Sequence, residues 1–471
     1  MLPGIIPRVS RRATAFAGAC LLFVSIPAPA DGQAADSTCA IHLQGADFVG
    51  AAADLSRVLD LQDTASHASF VMLRAGRGHS ANACAAPAAV ARLARHLDAQ
   101  PPAGGVRLLP AELRVIGNSA YPRDWNDGML WSGRGMNAAI TAGAQFRWGP
   151  LSAAIAPVAA WQSNAEFDLR LNMDTAQSEF ASALWPGIDL PQRFGTGSVT
   201  RVDAGQSFAR IDIRGFGAGF SNENIRWGPS RRNPLLLSGT AAGFAHAFIE
   251  TGRPVDVWIG DLEFQLFWGR LEESEYFDSD PDNDHRMLAG LLVALQPRIL
   301  DGLTIGGGRL QALTWWPELS LSDVALEPYR GVSENRFGRS GDNQLIALFF
   351  RWATAPAGLE AYGEWARDDH WGKWIGLLRN LDASQAWTLG LQKVIRRGVE
   401  ALRLGVEVTH LSDALPIRFA GRGVIPFYTH TVVTQGHTHR GQLLGAPIGT
   451  GGESLFVGGD YFWNGGRTSL S

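Results

Sequence analysis

The sequence predicts an all-β membrane protein: a large antiparallel transmembrane β-barrel of about sixteen to eighteen strands, preceded by a small periplasmic helical region. Three observations carry this prediction. The chain starts with an export leader, its later segments alternate apolar and polar residues with a period of two, and aromatic residues cluster near the ends of those segments. Strand-like segments also continue for hundreds of residues, whereas a soluble β-sandwich usually closes near about one hundred.

Residues 1–30 have the layout of a signal peptide. Three arginines precede the apolar stretch 13–26, and Ala28-Pro29-Ala30 supplies a small-x-small cleavage pattern. The alternative is an N-terminal membrane anchor, but the apolar stretch is shorter than the ~20 residues that a helical span needs. We therefore expect export.

The charge of the chain restricts its partners. The formal net charge is −4, and removing a leader with three arginines and no carboxylate makes it −7. A mildly acidic chain argues against nucleic acid as a partner, because nucleic acid attracts basic surfaces. After the leader the apolar runs are short, so no helical membrane span is expected.

Residues 31–110 form the predicted periplasmic helical region. The stretches 52–61 and 88–99 place leucine and valine at helical spacing. Cys39 and Cys84 remain after leader cleavage. In an oxidising periplasm they would form a disulfide or stay as two buried thiols, and the sequence leaves both open because it gives no geometry.

Residues 111–471 form the predicted barrel. In the stretch 400–411, leucines and valines alternate with Arg403, Gly405 and Glu407, and the stretches 208–216 and 261–269 follow the same scheme. One apolar and one polar face fits a wall that contacts lipid on its outside. A barrel also satisfies every backbone group inside a bilayer, which an open sheet cannot do.

Two segments resemble metal sites without meeting the requirements. The acidic run 272–284 lacks the glycine and the glutamate that an EF-hand loop needs, so we expect a solvated extracellular loop. His437 and His439 would share one face of a strand, but neither carboxylate nor cysteine lies close by in the sequence. The sequence therefore predicts neither a metal nor a cofactor.

Common catalytic motifs are absent from the sequence. It contains no G-x-S-x-G nucleophile elbow, no phosphate-binding loop and no H-E-x-x-H zinc motif. A triad assembled from distant strands stays open, because triads are recognised by geometry and not by order. We expect a protein that is not an enzyme.

The segment 119–135 combines aromatic, amide and charged residues among glycines. Trp125, Asp127 and Arg134 suit sugar binding, because sugar rings stack on aromatic faces while their hydroxyls take polar groups. The equal alternative is a turn at 126–128 with tryptophans at the membrane interface.

The segment 222–239 places Trp227, Arg231 and Arg232 before the apolar run 235–237. That run is too short to span a membrane as a helix, so we expect it to pack against the barrel wall or a plug. We expect both arginines in the lumen, either paired with acidic wall residues or exposed to an anionic glycan.

Four segments carry a family resemblance: NSAYPRDWNDGMLWSGRG from Asn118, NENIRWGPSRRNPLLLS from Asn222, NDHRMLAGLLVALQPRILDGLTIGGGR from Asn283 and YTHTVVTQGHTHRGQLLGAPIG from Tyr428. Together they resemble the Wzi family of outer-membrane capsule-assembly proteins. The resemblance implies a monomeric, lectin-like barrel in the cell outer membrane that binds capsular or extracellular polysaccharide and assists its assembly or attachment. Residue type within these segments gives the binding candidates: Trp125, Asp127, Arg134, Trp227, Arg231, Arg232, Tyr428, His430 and Arg440.

The chain departs from such barrels at its end, which is Ser471 rather than an aromatic residue. Either the C-terminal strand is truncated, which we expect, or the insertion signal is unusual. The alternative function is a porin-like diffusion channel for small solutes or oligosaccharides. The size of the barrel motivates it, together with charges expected to face the lumen, such as Arg210, Asp212, Arg214 and Glu407.

Overall fold

The computed structural model describes most of the predicted barrel and only short parts of the N-terminal region. The leader, Cys39, Cys84 and Trp125 lie outside the described residues, so the predictions about them stay predictions. The described residues are 40–44, 57–58, 61, 77–82, 89, 104–123, 126–171, 177–183, 188–313, 342–368, 385–411, 426–430, 432–463 and 466–471.

The described part of the chain consists mainly of β-strands and their connections, with one 3-10 turn at Ala355–Ala357. Their bounds are β1 Ala40–Gln44, β2 Arg77–Asn82, β3 Gly105–Asn118, β4 Gly135–Trp148, β5 Leu151–Ile155, β6 Val158–Gln162, β7 Val199–Asp203, β8 Phe208–Ile213, β9 Phe216–Ser221, β10 His246–Thr251, β11 Val255–Val257, β12 Gly260–Glu272, β13 His285–Pro297, β14 Leu303–Leu313, β15 Asp342–Thr354, β16 Leu359–Asp368, β17 Gln385–Arg397, β18 Glu400–Leu411, β19 Thr438–His439, β20 Gln442–Leu443, β21 Glu453–Trp463 and β22 Gly466–Leu470.

In the ranges that the structure describes, eighteen strand segments form one sheet whose strand order is circular, with β22 next to β3. The pairs in this sheet are antiparallel, as from β12 to β13 and from β17 to β18. Because β5 and β6 both pair with β4, and β10 and β11 both pair with β12, segments outnumber full-length strands. The prediction of an all-β antiparallel architecture is confirmed.

The wall strands show the predicted alternation. In β18 Arg403 and Glu407 are buried, whereas Leu404 and Val408 are 46% and 37% exposed. Apolar side chains on other strands are similarly exposed, including Leu455, which is 71% exposed. An apolar outer surface around a polar interior is typical of barrels whose walls contact lipid.

Short and long connections alternate along the sheet. The connections after β4, β8, β11, β13, β15, β17 and β21 have two to five residues. Those after β3, β6, β9, β12 and β18 are longer, and together they define one end of the molecule, the long-loop end. Outer-membrane barrels have short periplasmic turns and longer extracellular loops.

The N-terminal boundary differs from the prediction. The first wall strand starts at Gly105, whereas the predicted barrel starts at residue 111. Within the predicted helical region, the described residues include the antiparallel pair β1–β2. In β1 apolar and polar residues alternate, which is a strand pattern and not a helical one.

The predicted helices at 52–61 and 88–99 lie mostly outside the described residues. Arg57, Val58 and Ala89 are their described helical positions. No helix in the described ranges has the length and apolarity that crossing a membrane requires.

Two long connections fill the interior of the sheet. We name residues 222–245 the first inner segment and residues 426–452 the second inner segment. Both contribute to one buried apolar cluster with wall residues such as Phe267 and Leu288. The run Leu235-Leu236-Leu237 belongs to this cluster, as the sequence predicts, and each of these leucines is at most 2% exposed.

Candidate functional site

Wall carboxylates hold the backbone of the first inner segment. The carboxylate of Glu364 accepts hydrogen bonds from the backbone N–H groups of Ser230 and Leu235 at 2.6 and 2.9 Å. The carboxylate of Glu407 accepts from the N–H groups of Arg231, Arg232 and Asn233 at 2.7 to 3.1 Å. Buried N–H groups outside a strand ladder need such partners. The segment is therefore fixed to strands β16 and β18.

The two arginines of this segment lie against the wall. Arg231 Nη2 is 2.9 Å from Asp460 Oδ2, and the same carboxylate oxygen accepts from Arg403 at 2.7 Å. The guanidinium of Arg232 lies over the ring of Phe456, 4.2 Å from its centroid. Of the two arrangements predicted for the arginines, Arg231 adopts the first: it pairs with an acidic wall residue.

Trp227 and Gly228 fix the turn at the start of this segment. The Trp227 indole donates a hydrogen bond to Gln265 Oε1 at 2.7 Å, and the side chain is 1% exposed. Gly228 has a φ of 105°, and a Cβ at this position would lie 2.2 Å from Glu364 Oε1. The turn therefore requires glycine for its backbone and for its space.

Tyr428 joins the two inner segments. Its hydroxyl donates to the Leu235 carbonyl at 2.7 Å and accepts from the Ala446 N–H at 2.9 Å. His437 Nε2 lies 2.6 Å from the Leu236 carbonyl oxygen. Burial lowers the pKa of His437 to about 4, so the ring is neutral at pH 7.

Arg57 connects the N-terminal region to this interior. Its guanidinium donates to the Pro229 carbonyl at 2.7 Å, pairs with Glu360, and lies 4.8 Å from the Tyr362 ring centroid. A side chain of the N-terminal region therefore contacts both the first inner segment and the wall.

A cleft of about 320 Å³ opens at the long-loop end. One wall is the β12–β13 connection, and Arg440 of the second inner segment and Ala242 of the first line its base. The lining residues are Met129, Phe194, Arg201, Val202, Ala242, Glu272, Glu273, Ser274, Glu275, Tyr276 and Arg440.

Aromatic side chains form one side of the cleft. The ring of Phe194 makes edge-to-face contacts with Trp131 and Tyr276, with centroid separations of 4.6 and 5.8 Å. The guanidinium of Arg201 lies 4.1 Å from the centroid of the Phe194 ring. These contacts fix the orientation of the rings before any ligand binds.

Charged groups form the rest of the cleft. Arg440 donates to Glu272 and to Asp203, both at 2.7 Å. Glu273 accepts from Gln435 Nε2 at 2.5 Å. Burial, with added repulsion from Asp278 and Asp189, raises the pKa of Glu273 to about 7.

Most of the predicted binding residues lie away from this cleft. Asp127 is buried and pairs with Arg114 and Ser132, and Arg134 is exposed and donates to the Glu166 carbonyl. Trp227, Arg231, Arg232 and Tyr428 contact the interior, as described above. His430 Nδ1 accepts from the backbone N–H of Val433 at 2.9 Å.

Among the predicted binding residues that the structure describes, Arg440 lines the cleft. The sequence interpretation did not select Phe194, Arg201 or Tyr276. The acidic residues beside Tyr276 were a visible signal, but they indicate a solvated loop equally well. Phe194 and Arg201 carry no comparable signal, because their role depends on contacts between distant segments.

The acidic run and the two histidines make local contacts. Asp278 and Asp280 accept from the N–H groups of Asp280 and Asp282, at 2.8 and 3.1 Å. His439 Nδ1 accepts from the Glu272 N–H at 3.0 Å. In the part of the chain that the structure describes, no group of three or more His, Cys, Asp or Glu residues has the geometry to hold a metal ion.

Comparison with solved structures finds similarity to outer-membrane proteins and porins, here at low TM-scores. OmpF from Salmonella typhi, in complex with daunomycin, is 8% identical with a TM-score of 0.32 over 78% of this chain and 98% of that chain. A BenF-like porin from Pseudomonas fluorescens is 9% identical with a TM-score of 0.29, over 77% of this chain and 95% of that chain.

The chain has a Wzi-like outer-membrane β-barrel fold. Wzi, an outer-membrane protein involved in group 1 capsule assembly in Escherichia coli and described as a carbohydrate-binding β-barrel, gives a TM-score of 0.57 at 13% identity. The match covers 88% of this chain and 81% of that chain. No protein-family profile and no curated protein matches. The similarity at this identity concerns the fold alone.

Proposed function

We propose that the protein is located in the cell outer membrane, where it binds capsular or extracellular polysaccharide and assists its assembly or attachment at the cell surface without catalysis. The observation that carries the proposal is the cleft at the long-loop end, which combines Phe194 and Tyr276 with Arg201, Arg440 and several carboxylates. The named binding activity of the structurally similar Wzi is consistent with it.

The chemistry of the cleft suits a sugar chain. The apolar faces of sugar rings stack on aromatic side chains, and their hydroxyls exchange hydrogen bonds with carboxylates and guanidinium groups. Aromatic residues with a few fixed polar groups in a concave site are typical of small-ligand recognition. A volume of about 320 Å³ accommodates a short stretch of a chain rather than a whole polymer.

The inner segments support binding by holding the base of the cleft. Arg440 and Ala242 belong to segments that are hydrogen-bonded to each other and to the wall, as between Ser238 and Leu444 at 2.7 Å. A fixed base reduces the entropy cost of ordering the site around a ligand.

Glycan-array binding by the purified, refolded full chain tests the proposal. We expect selective binding to a limited set of polysaccharide fragments. In producing cells, deletion of the gene should release surface polysaccharide into the medium. Array signals at background, together with unchanged retention, would contradict the proposal.

Planar-bilayer conductance separates this function from the alternative of a diffusion channel. The buried cluster contributed by both inner segments supports low conductance, because these side chains occupy the interior. Large, steady conductance steps from the wild-type protein would favour the channel.

A further inference from the structure

We infer that the cleft selects a neutral, hydroxyl-rich glycan over a polyuronate, an inference that rests on the proposed function and specifies its ligand class. The inference depends on two neighbouring features of the cleft. One is an acidic wall, and the other is a pair of guanidinium groups that already contact carboxylates or an aromatic ring of the protein.

The acidic wall is the β12–β13 connection with the end of β12. Residues 272–284 contain seven carboxylates and neither lysine nor arginine. Glu272, Glu273 and Glu275 of this run line the cleft directly, and Asp280 and Asp282 are exposed on the same loop. Like charges placed opposite each other at an interface are strongly unfavourable, so a chain with a carboxylate on every sugar would be repelled.

The cationic groups of the cleft are engaged within the protein. Arg440 bridges Glu272 and Asp203 through two different nitrogens, so its charge is balanced by two carboxylates. Arg201 lies over the face of Phe194. Binding a uronate through Arg440 would require exchanging an existing charge-assisted hydrogen bond for a new one, with little net gain.

Two other candidate cations for an anionic glycan, Arg231 and Arg232, lie deeper. Arg231 pairs with Asp460 inside the barrel, and Arg232 stacks on Phe456. Hydroxyl groups, in contrast, can donate to the carboxylates that remain accessible in the cleft, such as Glu275. The site is therefore rich in acceptors, which favours a ligand rich in donors.

Matched neutral and charged probes test the inference. Oligomers of dextran, maltodextrin and galactan, each with its carboxymethyl derivative of the same length, would be titrated against the refolded full chain at low and at high salt. We expect at least one neutral oligomer to bind, and its carboxymethyl derivative to bind about tenfold more weakly at low salt. High salt should reduce this difference, because exposed charges are then screened.

A pair of variants shows whether the acidic wall causes the selectivity. Glu275→Gln with Asp282→Asn should reduce the preference for the neutral oligomer. The control, Asp261→Asn with Asp301→Asn, makes the same change in net charge at exposed positions at the opposite end of the barrel and should leave the preference unchanged.

The outcomes separate the inference from the proposed function. Equal or tighter binding of the carboxymethyl derivatives would overturn the selectivity while leaving glycan binding intact. An unchanged preference in the wall variant would overturn the assigned cause. Failure of every neutral and charged oligomer to bind would overturn the inference, whereas the proposed function is decided separately by the glycan array and by polysaccharide retention in cells.

Discussion

At the scale of single residues, the interior depends on a few carboxylates that act on backbone groups. Glu407 accepts from three consecutive N–H groups of the first inner segment and from the Tyr362 hydroxyl at 2.8 Å. Glu364 accepts from two more and leaves no space for a side chain at Gly228. Residues 227–232 of the first inner segment, WGPSRR, are therefore anchored to the wall, and the two arginines contribute to that anchoring.

Glu407→Ala should destabilise the protein by at least about 3 kcal/mol, because it leaves several buried donors without an acceptor. The measurement is the unfolding free energy from urea titration in detergent. Glu453→Ala is the control: this carboxylate is 76% exposed and pairs with His410, so its loss should cost less than about 1 kcal/mol. Equal costs for the two variants would contradict the anchoring role of Glu407.

Gly228→Ala should be more destabilising than Gly149→Ala. Both glycines have positive φ, so both substitutions carry a backbone cost of about 1–2 kcal/mol. A Cβ at Gly149 meets nothing within 4 Å, whereas a Cβ at Gly228 overlaps Glu364. Thermal unfolding of the two variants measures the difference, and similar melting temperatures would show that Glu364 moves aside at no cost.

At the scale of elements, the β12–β13 connection is the most distinctive part of the cleft. It docks on the barrel interior through polar contacts, with Ser274 donating from its backbone N–H to Asp189 at 2.8 Å and Gln435 donating to Glu273. Asp189 and Glu273 both lose solvent there, and burial raises the pKa of each. Between pH 4.5 and about 7, Glu273 therefore holds a proton in the docked loop that it would release in an undocked loop.

This arrangement predicts that docking weakens as pH rises. Burial raises the pKa of Glu273 from 4.5 to about 7. The docked loop therefore becomes less stable as the pH rises from 4.5 to about 7, and its stability levels off at higher pH. Limited proteolysis within residues 273–284 should be faster at pH 8.5 than at pH 5.5, after correction for protease activity with an unrelated substrate.

Glu273→Gln should flatten this pH dependence, leaving only the contribution of Asp189 in the same direction. Glu275→Gln, the same substitution at an exposed neighbour, serves as the matched control and should behave like the wild type. If Glu273→Gln shows the full wild-type dependence, Glu273 is not the group responsible.

The sequence predicted the elements better than the site. Alternation along β12 and β18 identifies wall strands because each residue's side depends only on its neighbours in the chain. The partners of the inner segments are a different problem: Arg231 and Asp460 are 229 positions apart. The cleft likewise combines residues from Met129 to Arg440, and no local pattern connects them.

At the scale of the whole molecule, the sheet supports an interior body that in turn supports a surface cleft. The wall carboxylates hold the first inner segment, Tyr428 and His437 hold the second against it, and Arg440 extends from the second into the cleft. The outer face of the same strands is apolar, as a lipid environment requires. This interior beneath a polar and aromatic cleft is the structural basis of the proposed binding function.

The most direct test of this account is the affinity of the refolded full chain for the polysaccharide fragment with the strongest array signal, measured for the wild type, Tyr276→Ala and Tyr121→Ala. Tyr276 lines the cleft, whereas Tyr121 is a 67% exposed tyrosine at the same end of the barrel but outside it. We predict that Tyr276→Ala weakens binding about tenfold or more, as expected for an aromatic anchor, while Tyr121→Ala binds like the wild type. Wild-type affinity in Tyr276→Ala would contradict the assignment of the cleft as the binding site.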